Sequence, residues 1–320
     1  MGGAVLRCFL GIKDCEVTLA RRGFSARSDA ALRHLETVGR SFLNGYHAAL
    51  QESRPNELDE CLMHVEPLYC GFAYEGAGMA LALLDHLLPT ARSRWSAFLA
   101  GPGAAHKYML HVGYGWAMAR LPWLRRGMKH RLTRHDPLLG WLIVDGYGFH
   151  EGYFYWKKYV VEQARPAQLC GYSLRAFDQG LGRSLWFMSG TDAVRLVELL
   201  VKFDGSRLPD LWSGIGLAAT YAGMADADGL KGIVEAAGIY REHLAQGASF
   251  AAKARQLAGN RAEHTDRACQ HFLGMDSDAA ARLSDEELRC LPEDDADMPA
   301  FEVWRTRIRE RVRQGNLICS

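Results

Sequence analysis

Three acidic side chains stand beside glycines in apolar stretches of the sequence: Glu75 in YEGAG, Asp145 in VDGYG and Asp178 in FDQGLG. A carboxyl group that large rings shield from water keeps its proton to a higher pH, and it can then serve as a general acid or base near neutrality. We therefore predict that these three residues are catalytic. The alternative is that each carboxylate pairs with an arginine or caps a helix end. Arg183 is such a partner for Asp178, although a spacing of five residues does not place both on one helix face.

The same stretches carry the rings and polar groups of a predicted binding surface. Aromatic faces suit conjugated chains, and their quadrupoles stabilise cationic intermediates. If the surface curves far enough, it encloses an apolar cavity with a few convergent polar groups, which is the usual form of a small-molecule site. The predicted substrate-binding residues are Tyr74, His111, Tyr114, Trp116, Tyr147, Phe149, His150, Tyr153, Gln179, Trp186 and Trp212.

Histidines give two further hypotheses about the site. His150 and Glu151 are adjacent, and neighbours in sequence point apart on a helix, so we expect no dyad between them and a core position for His150. His106 and His111 are five residues apart, which is not the four-residue spacing that aligns two imidazoles on one helix face. We therefore expect no bound metal, and no sequence pattern calls for another cofactor.

Periodic glycines identify the elements that hold these residues. The leading glycines are Gly45, Gly76, Gly113, Gly146, Gly180, Gly214 and Gly247, at intervals of 31, 37, 33, 34, 34 and 33 residues. A period near 34 with two helices per unit has the length of the tetratricopeptide repeat, although the large-residue pattern of that repeat is not matched. One small residue at the same height on every first helix lets neighbouring helices approach closely.

This pattern predicts an all-α superhelix of about seven α-hairpins, with closure around a cavity left open. Prolines at Pro67 and Pro137 are typical of helix starts, whereas Gly223 and Gly259 are typical of helix ends. We expect an N-terminal cap over residues 1–34, the repeats over 35–275 and C-terminal capping helices over 276–320.

The C-terminal segment is predicted to contain two helices. Ser284 and Glu287 form a capping box, which places a helix start at Ser284. A last helix is expected to begin near Pro299 and to run to Gly315, with its many arginines on a solvated face.

Composition excludes several classes of protein. The net charge is +1, and the one strong basic run, residues 120–135, is expected to be a solvated connector, so we predict no nucleic-acid partner. No run of eighteen apolar residues is present, which argues against an integral membrane segment. The eight cysteines include no Cys-x-x-Cys pair, which argues against iron–sulfur and zinc-ribbon sites. Free, buried thiols and a cytoplasmic location are expected.

Six phrases carry a resemblance that spans roughly residues 1–310. They are ARRGF (20–24), GFAYEGAGMAL (71–81), DGYGFHEGYF (145–154), FDQGLGRSLWF (177–187), DLWSGIGLA (210–218) and LAQGASFAAKAR (244–255). They resemble an uncharacterised bacterial family with a domain of unknown function, whose members often occur in gene clusters for enediynes and related polyketides. The resemblance implies secondary metabolism, a cytoplasmic location and a role near the conversion of a polyene. It implies no catalytic residue.

Two functions of different classes follow. The first is a biosynthetic enzyme, a cyclase, isomerase or lyase, that uses a buried carboxyl group on a polyketide polyene or an isoprenoid in a ring-lined helical cavity. The second is a helical-repeat adaptor that holds a peptide or a partner biosynthetic enzyme in a concave groove. A ring-lined pocket favours the enzyme, and an open polar groove favours the adaptor.

Overall fold

Helices form all the regular secondary structure that the computed structural model describes, namely residues 3–88, 90–125, 136–295 and 298–318. The all-α prediction is confirmed, with sixteen α-helices in these ranges. They are α1 (Gly3–Leu10), α2 (Leu19–Arg22), α3 (Asp29–Gln51), α4 (Pro55–Met63), α5 (Pro67–Leu87), α6 (Arg94–Ala100), α7 (Lys107–Arg120), α8 (Trp141–Phe154), α9 (Tyr172–Met188), α10 (Ala193–Leu200), α11 (Leu208–Ala222), α12 (Ala227–Ala237), α13 (Arg241–Ala258), α14 (Glu263–Leu273), α15 (Ser277–Glu287) and α16 (Ala300–Ile318).

Seven of these helices contain the periodic glycines, and each packs against the next one along the chain. These glycine helices are α3, α5, α7, α8, α9, α11 and α13. The segments that join them differ from one unit to the next: α12 and α14 follow α11 and α13, whereas a π-helical turn, Lys157–Val161, is the only helical element between α8 and α9. Part of the basic run, residues 126–135, lies outside the described residues.

Each central glycine helix carries two glycines that face opposite neighbours. Residues two apart on an α-helix differ by about 200° around its axis. In α9, a Cβ built on Gly180 would overlap the carbonyl oxygen of Asp145 in α8, and one built on Gly182 would overlap that of Leu211 in α11. The same arrangement recurs in α5, α7, α8 and α11. Backbones therefore touch on both sides of each helix, where the spacing predicted one close contact.

The two ends of the glycine-helix series are also in contact. Arg255, near the end of α13, donates to the carbonyl oxygens of Tyr221 (2.6 Å) and of Leu68 at the start of α5 (3.4 Å). The His34 ring of α3 lies 2.6 Å from the carbonyl oxygen of Ala222. These bonds tie the last glycine helices back to the first ones.

Most predicted helix boundaries agree with the structure. Pro67 begins α5, Gly223 caps α11, and Gly259 caps α13 in the left-handed conformation. The capping box at Ser284 is wrong, because α15 begins earlier, where the Asp276 side chain accepts from the Ala279 N–H at 2.7 Å. Ser284 therefore lies inside α15 rather than at its start.

The last helix also departs from expectation in what it buries. Arg305 of α16 is fully buried, where its guanidinium donates to Glu302 (2.9 Å) and to the Tyr172 hydroxyl (3.0 Å). The prediction of a uniformly solvated arginine face is therefore wrong at Arg305, while Arg313 is exposed.

Two further observations bear on the sequence predictions. The seven cysteines within the described ranges are free, and five of them are exposed, so the expectation of buried thiols is wrong for most. Among the helices of the described part of the chain, none combines the length and apolar character that a membrane span requires.

Candidate functional site

A buried arginine joins two of the predicted catalytic carboxylates. Arg183 of α9 donates to Asp145 of α8, and its other terminal nitrogen lies 3.9 Å from Glu75 Oε1 of α5. The three side chains are 1 to 7% exposed. Its guanidinium also lies 5.0 Å from the centre of the Phe149 ring. One positive charge therefore faces two acidic groups in a dry interior.

Asp145 is the better bonded of the two acids, because it belongs to a continuous buried chain of polar side chains. Gln179 Nε2 donates to Asp145 Oδ2 at 2.9 Å. The Ser213 hydroxyl donates to Gln246 Oε1 at 2.8 Å and lies 3.4 Å from Gln179 Oε1. Arg305 closes the chain with a 3.0 Å bond to Gln246. We name Glu75, Arg183, Asp145, Gln179, Ser213, Gln246 and Arg305 the polar chain.

Glu75 is the member of this group that holds a proton near neutral pH. Burial raises the pKa of its carboxyl group from 4.5 to about 7. Arg183 and, to a smaller extent, the nearby Trp116 indole lower that pKa, whereas the charge of Asp145 raises it further. Since Arg183 binds Asp145 directly, its charge is largely committed to that carboxylate, and burial decides the behaviour of Glu75.

Glu75 lies on the wall of a small chamber made mostly of aromatic rings. The Trp116 ring stacks obliquely between Phe42 (4.4 Å between ring centres) and Phe149 (5.2 Å). The free volume is about 50 Å³, room for one or two water-sized groups. The chamber is lined by Val17, Leu35, Val38, Gly39, Phe42, Phe72, Glu75, Trp116, Phe149, Tyr153, Phe154, Arg183 and Phe187.

A wider cleft connects this chamber with the surface. Its volume is about 420 Å³, which lies within the usual range of small-molecule sites. It shares Val17, Phe42, Trp116 and Phe154 with the chamber, so the two spaces adjoin. The cleft is lined by Gly11, Ile12, Lys13, Glu16, Val17, Arg22, Phe42, Leu43, Met79, Trp116, Arg120, His150, Phe154 and Tyr155.

His150 and Glu151 form the dyad that the sequence argument excluded. His150 Nδ1 lies 3.2 Å from Glu151 Oε1, both side chains are buried, and the imidazole lines the outer cleft. Neighbouring residues on a helix differ in direction by about 100°, which a glutamate side chain is long enough to span. The expectation that these residues point apart was therefore wrong. The Trp116 ring meets His150 edge to face at 5.5 Å and also lines the Glu75 chamber.

Five of the predicted site residues meet around the chamber and the cleft. The position of each residue relative to the first glycine of its helix explains which predicted residues line the chamber. The inner face comprises the residues four and one before that glycine and three and seven after it, which recur about every turn. Glu75 is one before, Trp116 and Phe149 are three after, and Tyr153 is seven after. His150, four after, reaches the cleft instead.

The other predicted residues lie elsewhere, and most occupy different positions in this register. Asp178, two before its glycine, forms a buried bidentate pair with Arg207, at 3.0 Å from Oδ2 to Nε, so its predicted catalytic role is not supported by contact with either space. Asp145 and Gln179 serve the polar chain behind the chamber. The residues that line neither space are Tyr74, His111, Tyr114, Tyr147, Trp186 and Trp212.

Each of these outer residues has its own packing partners. Tyr74 bonds to Asp59 and stacks on His106 at 3.7 Å. The Tyr114 hydroxyl lies 2.8 Å from His86 Nε2. The remaining contacts are His111 Nδ1 to the Lys107 carbonyl (2.7 Å) and Gln168 Nε2 to the Tyr147 hydroxyl (2.8 Å), while Trp186 and Trp212 are buried in the core. The partners Asp59, His106 and Gln168 lie outside the glycine helices, whereas His86 and Lys107 belong to α5 and α7.

Sequence reasoning missed Arg183 as a site residue. Its distance along the chain offers Arg183 only as one partner for Asp178, off the same helix face, whereas the register places Arg183 three residues after Gly180, the position of Trp116 and Phe149 in their helices. Phe72 and Phe187 were missed in the same way, at four before and seven after their glycines. The number of residues between each side chain and its glycine was the signal that could have identified all three.

Replacing Glu75 with glutamine should change how stability depends on pH. The folded state keeps a proton on Glu75 up to about pH 7, whereas the unfolded state loses it near pH 4.5. The free energy of unfolding therefore falls as the pH rises between these values, by about 3 kcal/mol. Glutamine does not ionise, so Glu75→Gln should lack this fall. Urea unfolding at about pH 5 and about pH 8 measures the difference.

The control for this measurement is Glu235→Gln, since Glu235 is largely exposed and lies far from the chamber residues in the chain. Its pH profile should follow the wild type. If the wild-type and Glu75→Gln profiles are parallel, Glu75 ionises in the ordinary range and the assignment of the proton is wrong.

Within the described residues, no three His, Cys, Asp or Glu side chains group in a way that would hold a metal ion.

Comparisons with known proteins place the chain in one family. No curated protein and no solved structure matches the chain. The family model with the description "Protein of unknown function (DUF1702)" matches residues 1–312, which is nearly the whole chain. The chain therefore belongs to the DUF1702 family.

Proposed function

We propose that this protein is a biosynthetic enzyme that moves protons on an apolar, unsaturated chain, such as a polyketide polyene or an isoprenoid. The observation that carries the proposal is Glu75, a buried carboxyl group with a pKa of about 7 on the wall of a ring-lined chamber. Such a group holds a proton at neutral pH and loses it readily, as a general acid must.

The chemistry conserves electrons and needs no cofactor. Glu75 transfers its proton to one carbon of a double bond; the π electrons form the new C–H bond and leave a cation on the neighbouring carbon. In a conjugated chain the positive charge is shared along the chain into the outer cleft, where His150, held by Glu151, takes a proton from a carbon next to a charged position, and that C–H pair forms a new double bond. The product is an isomer, or a ring if another double bond attacks the cation first.

The rings around the chamber suit the cationic intermediate. Phe42, Trp116 and Phe149 form a continuous oblique stack beside Glu75. Aromatic faces attract a cation by about 0.5–2 kcal/mol each, with the larger values where water is excluded. Asp145 keeps the charge of Arg183 compensated, so this arginine opposes the intermediate less than an unpaired cation would.

The volumes indicate which part of the ligand reacts. The chamber admits one or two carbon-sized groups beside Glu75, while the outer cleft holds the rest of a chain. The ligand would therefore enter end first, with the protonated carbon near that end.

The setting proposed for this reaction is the cytoplasm of a bacterium that makes enediynes or related polyketides, as the sequence phrases imply.

The adaptor function is the weaker alternative. A peptide groove would be open and polar, whereas the inner faces of the glycine helices carry rings and a polar chain whose members already bond to one another. A partner biosynthetic enzyme remains compatible with either function.

Genetic complementation tests the enzyme. In a producing bacterium with this gene deleted, the wild-type gene should restore a lost unsaturated metabolite, measured by liquid chromatography and mass spectrometry. Glu75→Gln should lower its yield by about 100-fold, the usual contribution of a general acid. Glu75→Asp should keep part of the yield, and His150→Phe should lower it as well.

Glu235→Gln, an exposed carboxylate, is the matched control and should restore the full yield, with protein levels compared by immunoblot. Full restoration by Glu75→Gln at equal protein level would refute the proposal.

A further inference from the structure

The mouth of the outer cleft carries an excess of positive charge. Four ionisable side chains other than histidine and tyrosine line the cleft: Lys13, Arg22 and Arg120 are cationic, and Glu16 is anionic. Arg22 is committed internally, because it pairs with Glu16 and its guanidinium lies 5.0 Å from the centre of the Phe154 ring. Lys13 and Arg120 remain as the uncompensated charges.

Neither Lys13 nor Arg120 has an ion-pair partner among the described residues, and both side chains are exposed. They come from separate elements: Lys13 precedes the 3₁₀ turn Asp14–Val17, and Arg120 ends α7. Two like charges that line one cleft repel each other. A bound anion between them would remove that repulsion and form charge-assisted hydrogen bonds with both.

The two spaces share one set of apolar residues, and this fixes where an anion in the cleft would lie relative to the chamber. The apolar end of the cleft, at Phe42, Trp116 and Phe154, adjoins the chamber, whereas Lys13 and Arg120 belong to the cleft only. A chain with its reacting end at Glu75 would place its other end beside these cations.

We propose that Lys13 and Arg120 bind an anionic end group, a carboxylate or a phosphate, on the apolar chain that occupies the cleft. The substrate class is thus an amphipathic anion rather than a neutral hydrocarbon. This inference rests on the proposed function for the identity of the chain, and it adds the charge of its outer end.

A fluorescent conjugated fatty acid tests the charge requirement. Parinaric acid, an eighteen-carbon tetraene, becomes brighter in an apolar site, and its methyl ester has the same chain without the charge. The wild type should bind the acid about ten-fold more tightly than the ester, and added salt should reduce this ratio. Displacement by hexadecanoate and by hexadecyl phosphate, with hexadecanol for comparison, separates a carboxylate site from a phosphate site.

Variants at the mouth assign the effect. The double variant Lys13→Met with Arg120→Met should bind acid and ester equally, because only the charge preference is lost. Lys13→Arg with Arg120→Lys keeps both charges and should keep the preference. Circular dichroism checks that both proteins are folded, and exposed positions make that outcome the expected one.

The outcomes separate this inference from the proposed function. If the wild type binds acid and ester equally, or if the double methionine variant keeps the preference, the anion site is refuted and the apolar site stands. If neither probe binds, the apolar site itself is refuted and the anion site with it. Glu235→Gln, at an exposed position outside both spaces, should bind both probes as the wild type does.

Discussion

Replacing Arg183 with methionine should destabilise the protein by about 3–5 kcal/mol at about pH 8, the usual loss when one partner of a buried ion pair is removed. Methionine fills similar volume but leaves Asp145 without its charged donor and Glu75 without its nearest cation. Both acids would then be buried and uncompensated above pH 7. Urea unfolding measures the change in the free energy of unfolding.

The pH dependence of this loss has a definite sign. Arg183 lowers the pKa of Glu75, so its removal should raise that pKa above about 7, and at lower pH the carboxyl group of Glu75 is neutral and needs no cation. The destabilisation by Arg183→Met should therefore shrink as the pH falls from about 8 to about 5. A loss of the same size at every pH would indicate a packing defect and contradict the electrostatic account.

Two variants make the result specific. Adding Asp145→Asn to Arg183→Met removes one buried charge and should recover part of the stability at about pH 8. Arg313→Met breaks an exposed pair with Glu242 and should leave the unfolding midpoint unchanged. If the double variant is less stable than Arg183→Met alone, the charge of Asp145 is not the source of the loss.

The sequence predicted the helical class and the periodic glycine contacts because both depend on local information. A glycine about every 34 residues indicates one close helix contact in each unit. Pro67 marks a helix start, and Gly223 and Gly259 mark helix ends, through backbone geometry alone. The second glycine of each pair was visible as well. Spacing alone does not show that a central helix has two neighbours, one for each of its two glycines.

Only part of the candidate site could be predicted from the sequence, because the direction of each side chain depends on its position relative to the glycine of its helix. Glu75 and Asp145 stand one residue before their glycines, but Asp178 stands two before, which turns it about 100° away toward Arg207. Treating all three as equivalent placed Asp178, which forms a buried ion pair with Arg207, among the predicted catalytic residues. The partner of Asp145, Arg183, comes from the next glycine helix, and pairing between helices depends on packing that periodicity does not specify.

The dyad of His150 and Glu151 shows the limit of helical-wheel reasoning. The wheel fixes the direction of each Cβ, but a glutamate has three further rotatable bonds, and its carboxylate can reach an adjacent imidazole. Burial of both side chains near the end of α8 favours that contact, because a polar atom removed from water needs a partner.

Alanine at Gly180 and alanine at Gly232 should have opposite effects on stability, although both residues lie inside helices. A Cβ at Gly180 would overlap the carbonyl oxygen of Asp145 and lie 2.8 Å from the Phe149 N atom, and backbone atoms cannot rotate aside. We expect Gly180→Ala to lower the free energy of unfolding by about 3 kcal/mol. At Gly232 of α12 the nearest atom to a new Cβ is Ala193 Cβ at 3.9 Å, an ordinary contact. Gly232→Ala should raise stability by about 1 kcal/mol through helix propensity.

This pair separates helix propensity from helix packing, because the chemical change is identical. Thermal and urea unfolding of both variants would show one midpoint falling and the other rising. Equal gains at the two positions would mean that α8 and α9 can move apart without cost. In that case the close backbone contact would not hold Asp145 against Arg183. The position of Glu75 relative to Arg183 and Asp145 depends on that contact, so Gly180→Ala should also move the pKa of Glu75 away from about 7. An unchanged pKa in a destabilised variant would place the origin of that shift in burial alone.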